Sequence, residues 1–240
     1  MATAAELHQM MVDGGRRSYE EDGMVAPIAF LFNEEGVGCA LQPTPSDERP
    51  PLMLARLISL AMPLVFDARY IGGVAEGWSR SVRAESDEEG MKLMEGIQHG
   101  DLQKMHDAGD TSIKTSVLSI LLDLEQPEKS LSGRLLDPRT DAEIAAGVPL
   151  VWDEDGMGTV EGWPEGEFAR ILRDSFLSVR VAITSPPEDV KPLIEGMKKA
   201  DRTDPGVAVE WMAEIARSGH LRSAVWFTPE DRFVIKVLTI

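Results

Sequence analysis

Cysteine is almost missing from this chain: Cys39 is the only one in 240 residues. No intramolecular disulfide can form, and no cysteine-based zinc site can be built. Cys39 falls in the apolar, strand-like run Val37–Leu41. That context makes it a buried small hydrophobe, since a nucleophilic thiolate needs a neighbouring base. Histidine is also scarce, with His8, His99, His106 and His220. Two histidines four apart around a glutamate, the HExxH spacing, do not occur. No Gly-x-Ser-x-Gly elbow, Walker A loop or Rossmann glycine fingerprint is present. Asp153-Glu-Asp-Gly156 superficially has the look of a calcium loop. Its first ligand position would be Val151 and its twelfth Gly162, so it is better read as an acidic turn.

Positive charge is short as well. Lys and Arg number 24 against 41 Asp and Glu, for a formal net charge of −17. Self-repulsion at this level favours solubility and opposes direct, nonspecific nucleic-acid binding. Long apolar runs are lacking. The longest, Leu52 to Phe66, is interrupted by Arg56, Ser59 and Pro63 and is too short to span a bilayer. The opening Met-Ala-Thr-Ala-Ala-Glu has no basic segment leading into an apolar one. The expectation is a soluble, cytoplasmic protein that does not engage membranes.

What is present suffices for a core, because 43% of residues are hydrophobic. Leu7, Met10 and Met11 share one face of an amphipathic helix over 3–20, weakened by Gly14-Gly15. Val25 to Phe32 and Val37 to Leu41 are the arms of a hairpin, with Gly36 supplying positive φ to its turn. Leu54, Leu57, Ile58 and Ala61 make the inner stripe of a helix over 51–62 that Pro63 stops. A buried strand follows over 66–80, then a helix over 86–107 capped by Ser86 and Glu89. Thr111 to Leu124 is a second long strand, buried on both faces at its centre. Gln126 to Ser132 is a loop, Thr140 and Glu143 cap a short helix ended by Gly147, and Val148–Trp152 is a short strand.

Residues 164–184 satisfy both a helical and a two-residue period, and are read as a helix passing into extended chain. Ser185 is expected to cap a helix, Asp204-Pro205 to open another ending at Gly219, and Ala224–Phe227 with Phe233–Leu238 to form a closing hairpin. Strands and helices mix without regular alternation. The fold class is therefore α+β: a mixed, largely antiparallel sheet with helices packed on it. A soft boundary divides a core domain, 1–136, from a C-terminal α+β extension, 137–240, unless the two are one domain.

Phe30-Leu-Phe-Asn-Glu-Glu-Gly36, the helix over 51–62 and the strand from Asp67 to Glu76-Gly77-Trp78 carry a resemblance. The layout over 24–125 resembles a group of uncharacterised α+β proteins of bacteria and phages with a hairpin–helix–strand core and a Glu-x-Trp ending. The resemblance implies a fold and no activity, so no functional residue is carried over from it.

Candidate chemistry is thin. His99 and His106 could share a helix face extended by Asp110, the makings of a His/carboxylate metal site, although solvated helix histidines are the simpler reading. Asp123 and Glu125 could project beside Glu76 as a carboxylate pair. Gly72-Gly73 marks a strand bulge or a point of close packing. Two windows lack Lys and Arg. One, between Arg17 and Arg49, holds Glu34 and Glu35. The other, between Arg139 and Arg170, holds Asp153, Glu154 and Asp155, with Trp163 as a candidate exposed aromatic contact. The reading is a non-enzymatic acidic interaction protein that needs no cofactor and no metal. Its partner would be a basic or nucleic-acid-binding protein, and in narrower form the chain would be an accessory or inhibitory factor of a phage or mobile element. The alternative is a small metal-dependent hydrolase using a His/carboxylate site.

Overall fold

A computed structural model describes residues 3–22, 25–45, 50–80, 86, 104–105, 107–110, 113–134, 141–147, 160–162, 167–186, 188, 191–202, 204–228 and 232–236. In chain order these form α1 (Ala4–Asp22), β1 (Ile28–Phe32), β2 (Gly38–Pro43), α2 (Pro50–Ala61), β3 (Tyr70–Arg80) and β4 (Ile113–Asp123). A 3-10 turn (Pro127–Lys129) leads to β5 (Leu131–Arg134), α3 (Asp141–Ala145) and β6 (Val160–Glu161). Then come α4 (Glu167–Thr184), α5 (Lys191–Lys199), α6 (Pro205–Arg217), β7 (Leu221–Phe227) and β8 (Arg232–Lys236). The strands join in one eight-stranded sheet, order β6-β5-β4-β3-β1-β2-β7-β8, with every pairing antiparallel. Strands and helices together make the α+β class expected from the sequence. Strands from 1–136 and from 137–240 are hydrogen-bonded into this single sheet, because β7 pairs with β2 and β6 with β5. The soft boundary therefore does not separate two sheets.

Alternation along the strands splits the apolar residues into two clusters, as a period of two requires. On one face Ala29, Leu31, Cys39, Leu41, Ile71, Ile120, Leu122, Ala224 and Trp226 meet the buried stripes of α2, α4 and α6. On the other, Phe30, Phe32, Tyr70, Val74, Val117, Leu121 and Leu131 meet Leu7, Met11 and Val12 of α1. The centre of β4 is thus buried on both faces, as its crowded apolar sequence predicts.

Gly72 faces the α1 layer and Gly73 the layer of α2 and α4. A Cβ on Gly72 would stand 2.8 Å from Met11 Cε and 2.4 Å from the Ile120 carbonyl oxygen. One on Gly73 would stand 2.8 Å from Leu54 Cδ1 and 3.1 Å from Phe168 Cζ. The register of β3 with β4 runs unbroken through both glycines, so they are a packing point and not a bulge. Gly14 and Gly15 do not interrupt α1. A Cβ at Gly15 would come within 3.0 Å of Val74 Cγ1, so this helical glycine also lets the helix lie close to the sheet.

Several expectations change. The strand placed at 66–80 begins at Tyr70, because Pro63 ends α2 and successive turns carry the chain to Ala68. Within 126–132, Leu131 and Ser132 already belong to β5, a segment too short to show alternation by itself. Residues 167–184 are helical throughout. Ala169, Leu172, Phe176 and Ile183 face the core, whereas Leu177 and Val181, which suggested a two-residue period, are solvent-facing. Ser185 closes α4 through its N–H to the Val181 carbonyl, and α5 starts only at Lys191. Pro186 directly after Ser185 restricts that residue to extended backbone. The bulk of the helix expected over 86–107 and the strand at 148–152 lie outside the described residues.

Candidate acidic interface

The β1–β2 turn is built on a buried asparagine. Asn33 Oδ1 accepts from the Glu35 and Val37 N–H groups at 3.0 and 2.9 Å. Gly36 takes φ +87°, the left-handed conformation expected of it. With the backbone so held, Glu35 is exposed and the Glu34 side chain is 61% exposed. A second turn is built in the same manner at the end of β4. Asp123 Oδ1 accepts from the Glu125 and Gln126 N–H groups at 3.0 and 2.9 Å, and Pro127 follows. Glu125 and Glu128 are exposed on this turn.

Antiparallel register brings both turns to one end of the sheet. Phe32 pairs with Tyr70, and Tyr70 pairs with Asp123. Arg69, just before Tyr70, lies between them. Its guanidinium donates to both oxygens of the buried Asp123, through Nε at 3.2 Å and Nη2 at 3.0 Å. Nη1 donates to Glu34 Oε1 at 3.0 Å, with Glu125 Oε2 at 3.9 Å. The hydrogen bonds to Asp123 hold the Arg69 pKa above its ordinary value despite burial.

A second guanidinium closes the cluster. Arg202 makes a two-pronged ion pair with Asp67, with Nη2 to Oδ2 at 2.8 Å, and lies over the Phe66 ring at 5.0 Å. Asn33 Nδ2 also donates to Asp67 Oδ2, at 3.3 Å. Partial burial would raise the Asp67 carboxyl, but the Arg202 hydrogen bonds and charge, with Asn33, bring it below its ordinary value. The Arg202 loop is anchored from beneath, since Trp226 Nε1 donates to the Arg202 carbonyl at 3.0 Å. This end of the sheet therefore gathers Glu34, Glu35, Asp67, Asp123, Glu125 and Glu128 against Arg69, Lys129 and Arg202. Arg232, opposite Phe227, is a further cation at this end by register, and the more deeply placed carboxylates, Asp67 and Asp123, are the paired ones.

Glu34 and Glu35 thus sit on the acidic end, though Glu34 holds Arg69 rather than being merely solvated. Asp153, Glu154, Asp155 and Trp163 lie outside the described residues, as do His99 and His106. Gly162 is described, and its N–H donates to the Ser130 carbonyl at 3.0 Å, beside the 123–130 turn. Glu20 and Glu21, from the same basic-free window as Glu34, fall elsewhere. The chain after α1 is tied to the opposite end of β3, with Val25 N–H on Glu76 Oε1 at 3.0 Å. That bond also corrects the proposed carboxylate pair. Glu76 lies opposite Val117, six residues along the strand from the Tyr70–Asp123 pair, so it does not meet Asp123 or Glu125.

Sequence reasoning missed Asp67, Arg69 and Arg202. The available signal was a lone Arg69 beside apolar residues, which needs a carboxylate on a neighbouring strand. Cys39 is fully buried, and burial pushes its thiol pKa far up, consistent with a packing role. Among the described residues, no group of three or more His, Cys, Asp or Glu is placed to hold a metal ion. No helix among them is long and apolar enough to cross a membrane. No protein-family model matches the chain, and comparisons with curated proteins and with solved structures gave no match.

Proposed function

We propose that this chain is a non-enzymatic interaction protein whose acidic sheet end receives a basic protein partner. The observation that carries the reading is the convergence of two exposed acidic turns, 33–36 and 124–129, on either side of Arg69. Both turns are stiffened by buried Asn33 and Asp123, so the backbone that carries their carboxylates is already ordered before binding. Such a rigid negative field steers a cationic partner and sets its orientation. A nucleic-acid-binding protein would present the matching surface, because it is built to receive phosphates. Action as an accessory or inhibitory factor of a phage or mobile element is the narrower form, supported by the net charge of −17.

An arginine-rich peptide tests the interface. Glu34→Gln, Glu35→Gln, Glu125→Gln and Glu128→Gln combined should slow its association by roughly tenfold or more at about 50 mM salt, and much less at about 200 mM. Glu20→Gln with Glu21→Gln, at the other end, should change the rate little. Equal effects of the two sets would reduce the acidity to general solubility.

A further inference from the structure

The face of the sheet under α1 contains a polar pair in an otherwise apolar layer. His8 is 3% exposed and Ser119 is fully buried. His8 Nε2 lies 2.8 Å from Ser119 Oγ, which also donates to the Gly133 carbonyl at 3.3 Å. Gly133 leaves room for the ring, since a Cβ there would stand 3.6 Å from His8 Cε1. A Ser-His pair suggests nucleophilic chemistry, but a hydroxyl with no exposed surface cannot meet a substrate. The pair instead joins α1 to β4 and β5.

We infer that His8 is a proton-operated latch: protonating its imidazole releases α1 from the sheet. A neutral ring suits this site and a charged one does not. With its one hydrogen on the Gly133 carbonyl, Ser119 accepts from the ring Nε2–H, and it carries no charge to balance an imidazolium. No carboxylate faces the ring among the described residues. On α1, Glu6 and Asp13 are exposed, and Arg16 is two turns away. On this face of β4 the neighbours are Val117 and Leu121, and Asp123 at the strand end is engaged by Arg69. On β5 the neighbour is Leu131; on β3 they are Tyr70, Gly72 and Val74, with Glu76 bonded to the Val25 N–H. Burial alone accounts for the lowering of the His8 pKa, with no neighbouring charge contributing.

The unfolded or released helix takes up a proton near pH 6.5, more readily than the docked one does. Docking of α1 is therefore at full strength above that pH and weakens as pH falls below it. The helix is suited to release, because Gly14 and Gly15 lower its intrinsic stability by roughly 1 kcal/mol each relative to alanine. Its departure would uncover Phe30, Val74 and Leu121 and the Met11 seat at Gly72.

Amide hydrogen exchange on the full chain, normalised to intrinsic rates, reads this directly. Between pH 7.5 and 5.0, protection in residues 4–22 should fall by roughly tenfold or more while protection in β3 and β4 holds. In His8→Gln, which stays neutral while keeping a group able to bond Ser119, protection of α1 should not depend on pH. Equal loss in wild type and variant, or no loss in wild type, would overturn the latch. The wild-type His8 ring followed by NMR gives a second reading that needs no variant. Protonation coincident with loss of α1 protection supports the proposal, and a protonated ring beneath a fully protected α1 overturns it.

Discussion

The two faces of the sheet are covered in different ways. Beneath α2, α4 and α6 the interface is apolar side chain against apolar side chain, from Leu54 and Ile58 to Met212 and Trp226. Beneath α1 the apolar layer is smaller and is punctuated by His8, Ser119 and Ser18, whose Oγ accepts from the Ala26 N–H at 3.0 Å. The first kind of contact supplies stability in proportion to area and tolerates sliding. The second adds little net energy per bond, yet it penalises every position of the helix that leaves a buried polar group unpaired. One face holds the fold together, and the other fixes where a helix sits and leaves it sensitive to protonation.

Substitutions on the two faces sharpen this contrast. Ile71→Ala, on the large apolar face, should cost about 2–5 kcal/mol in a urea titration. A loss under about 0.5 kcal/mol would undo the assignment of β3 as the interior strand. Asp123→Ala, at the polar end, should cost on the order of 3 kcal/mol, because Arg69 loses its buried partner and the 124–129 turn loses its two capped N–H groups. A cost near that of a surface mutation would show that Glu34 and Glu125 suffice for Arg69. Gly72→Ala should destabilise by about 1–3 kcal/mol, since neither the Ile120 carbonyl nor Met11 can retreat freely. Gly14→Ala, where a Cβ would meet only ordinary contacts at 3.8 Å, should stabilise by up to about 1 kcal/mol. Similar effects from these two glycines would erase the distinction between a packing glycine and a merely helical one.

The smallest effect is expected from Arg202→Ala. The folded pKa of Asp67 lies below its unfolded value, so its contribution is present above the ordinary carboxylate range and lost as pH falls through the folded value. Thermal melts from pH 6 to 3 should show a slightly shallower acid slope in the variant. An unchanged slope would mean solvent already screens the pair.

Where a segment answers to one face, the sequence shows its role. Leu54, Leu57, Ile58 and Ala61 mark α2 by spacing alone, and Gly36 marks a turn by its backbone freedom. Asp204 caps α6 by accepting from Gly206 N–H at 2.8 Å, as its place before Pro205 implies. Segments whose form depends on a distant partner are not legible in this way. β5 is a strand because β4 is beside it, and residues 177–184 stay helical because solvent accepts Leu177 and Val181. The acidic end was half visible. Glu34 and Glu35 announce themselves by a lack of nearby cations, but Asp67 and Arg202 come together only through tertiary structure. No spacing rule joins His8 to Ser119 either.

The strand order carries a kinetic consequence. β1 and β2 form a local hairpin, and β3 joins it over a short loop and α2. The other edge of β2 waits for β7, with Leu41 opposite Ala224. Pairing across so much chain is slow, because closing the loop precedes any contact that rewards it. During vectorial synthesis β2 is an open edge from the time it emerges until β7 and β8 arrive. Cys39 and Leu41, which belong in the core with Trp226, lack that partner over the same interval. An intermediate with such an edge is prone to strand pairing between molecules. The β7–β8 hairpin is thus also the cover that closes the β2 edge.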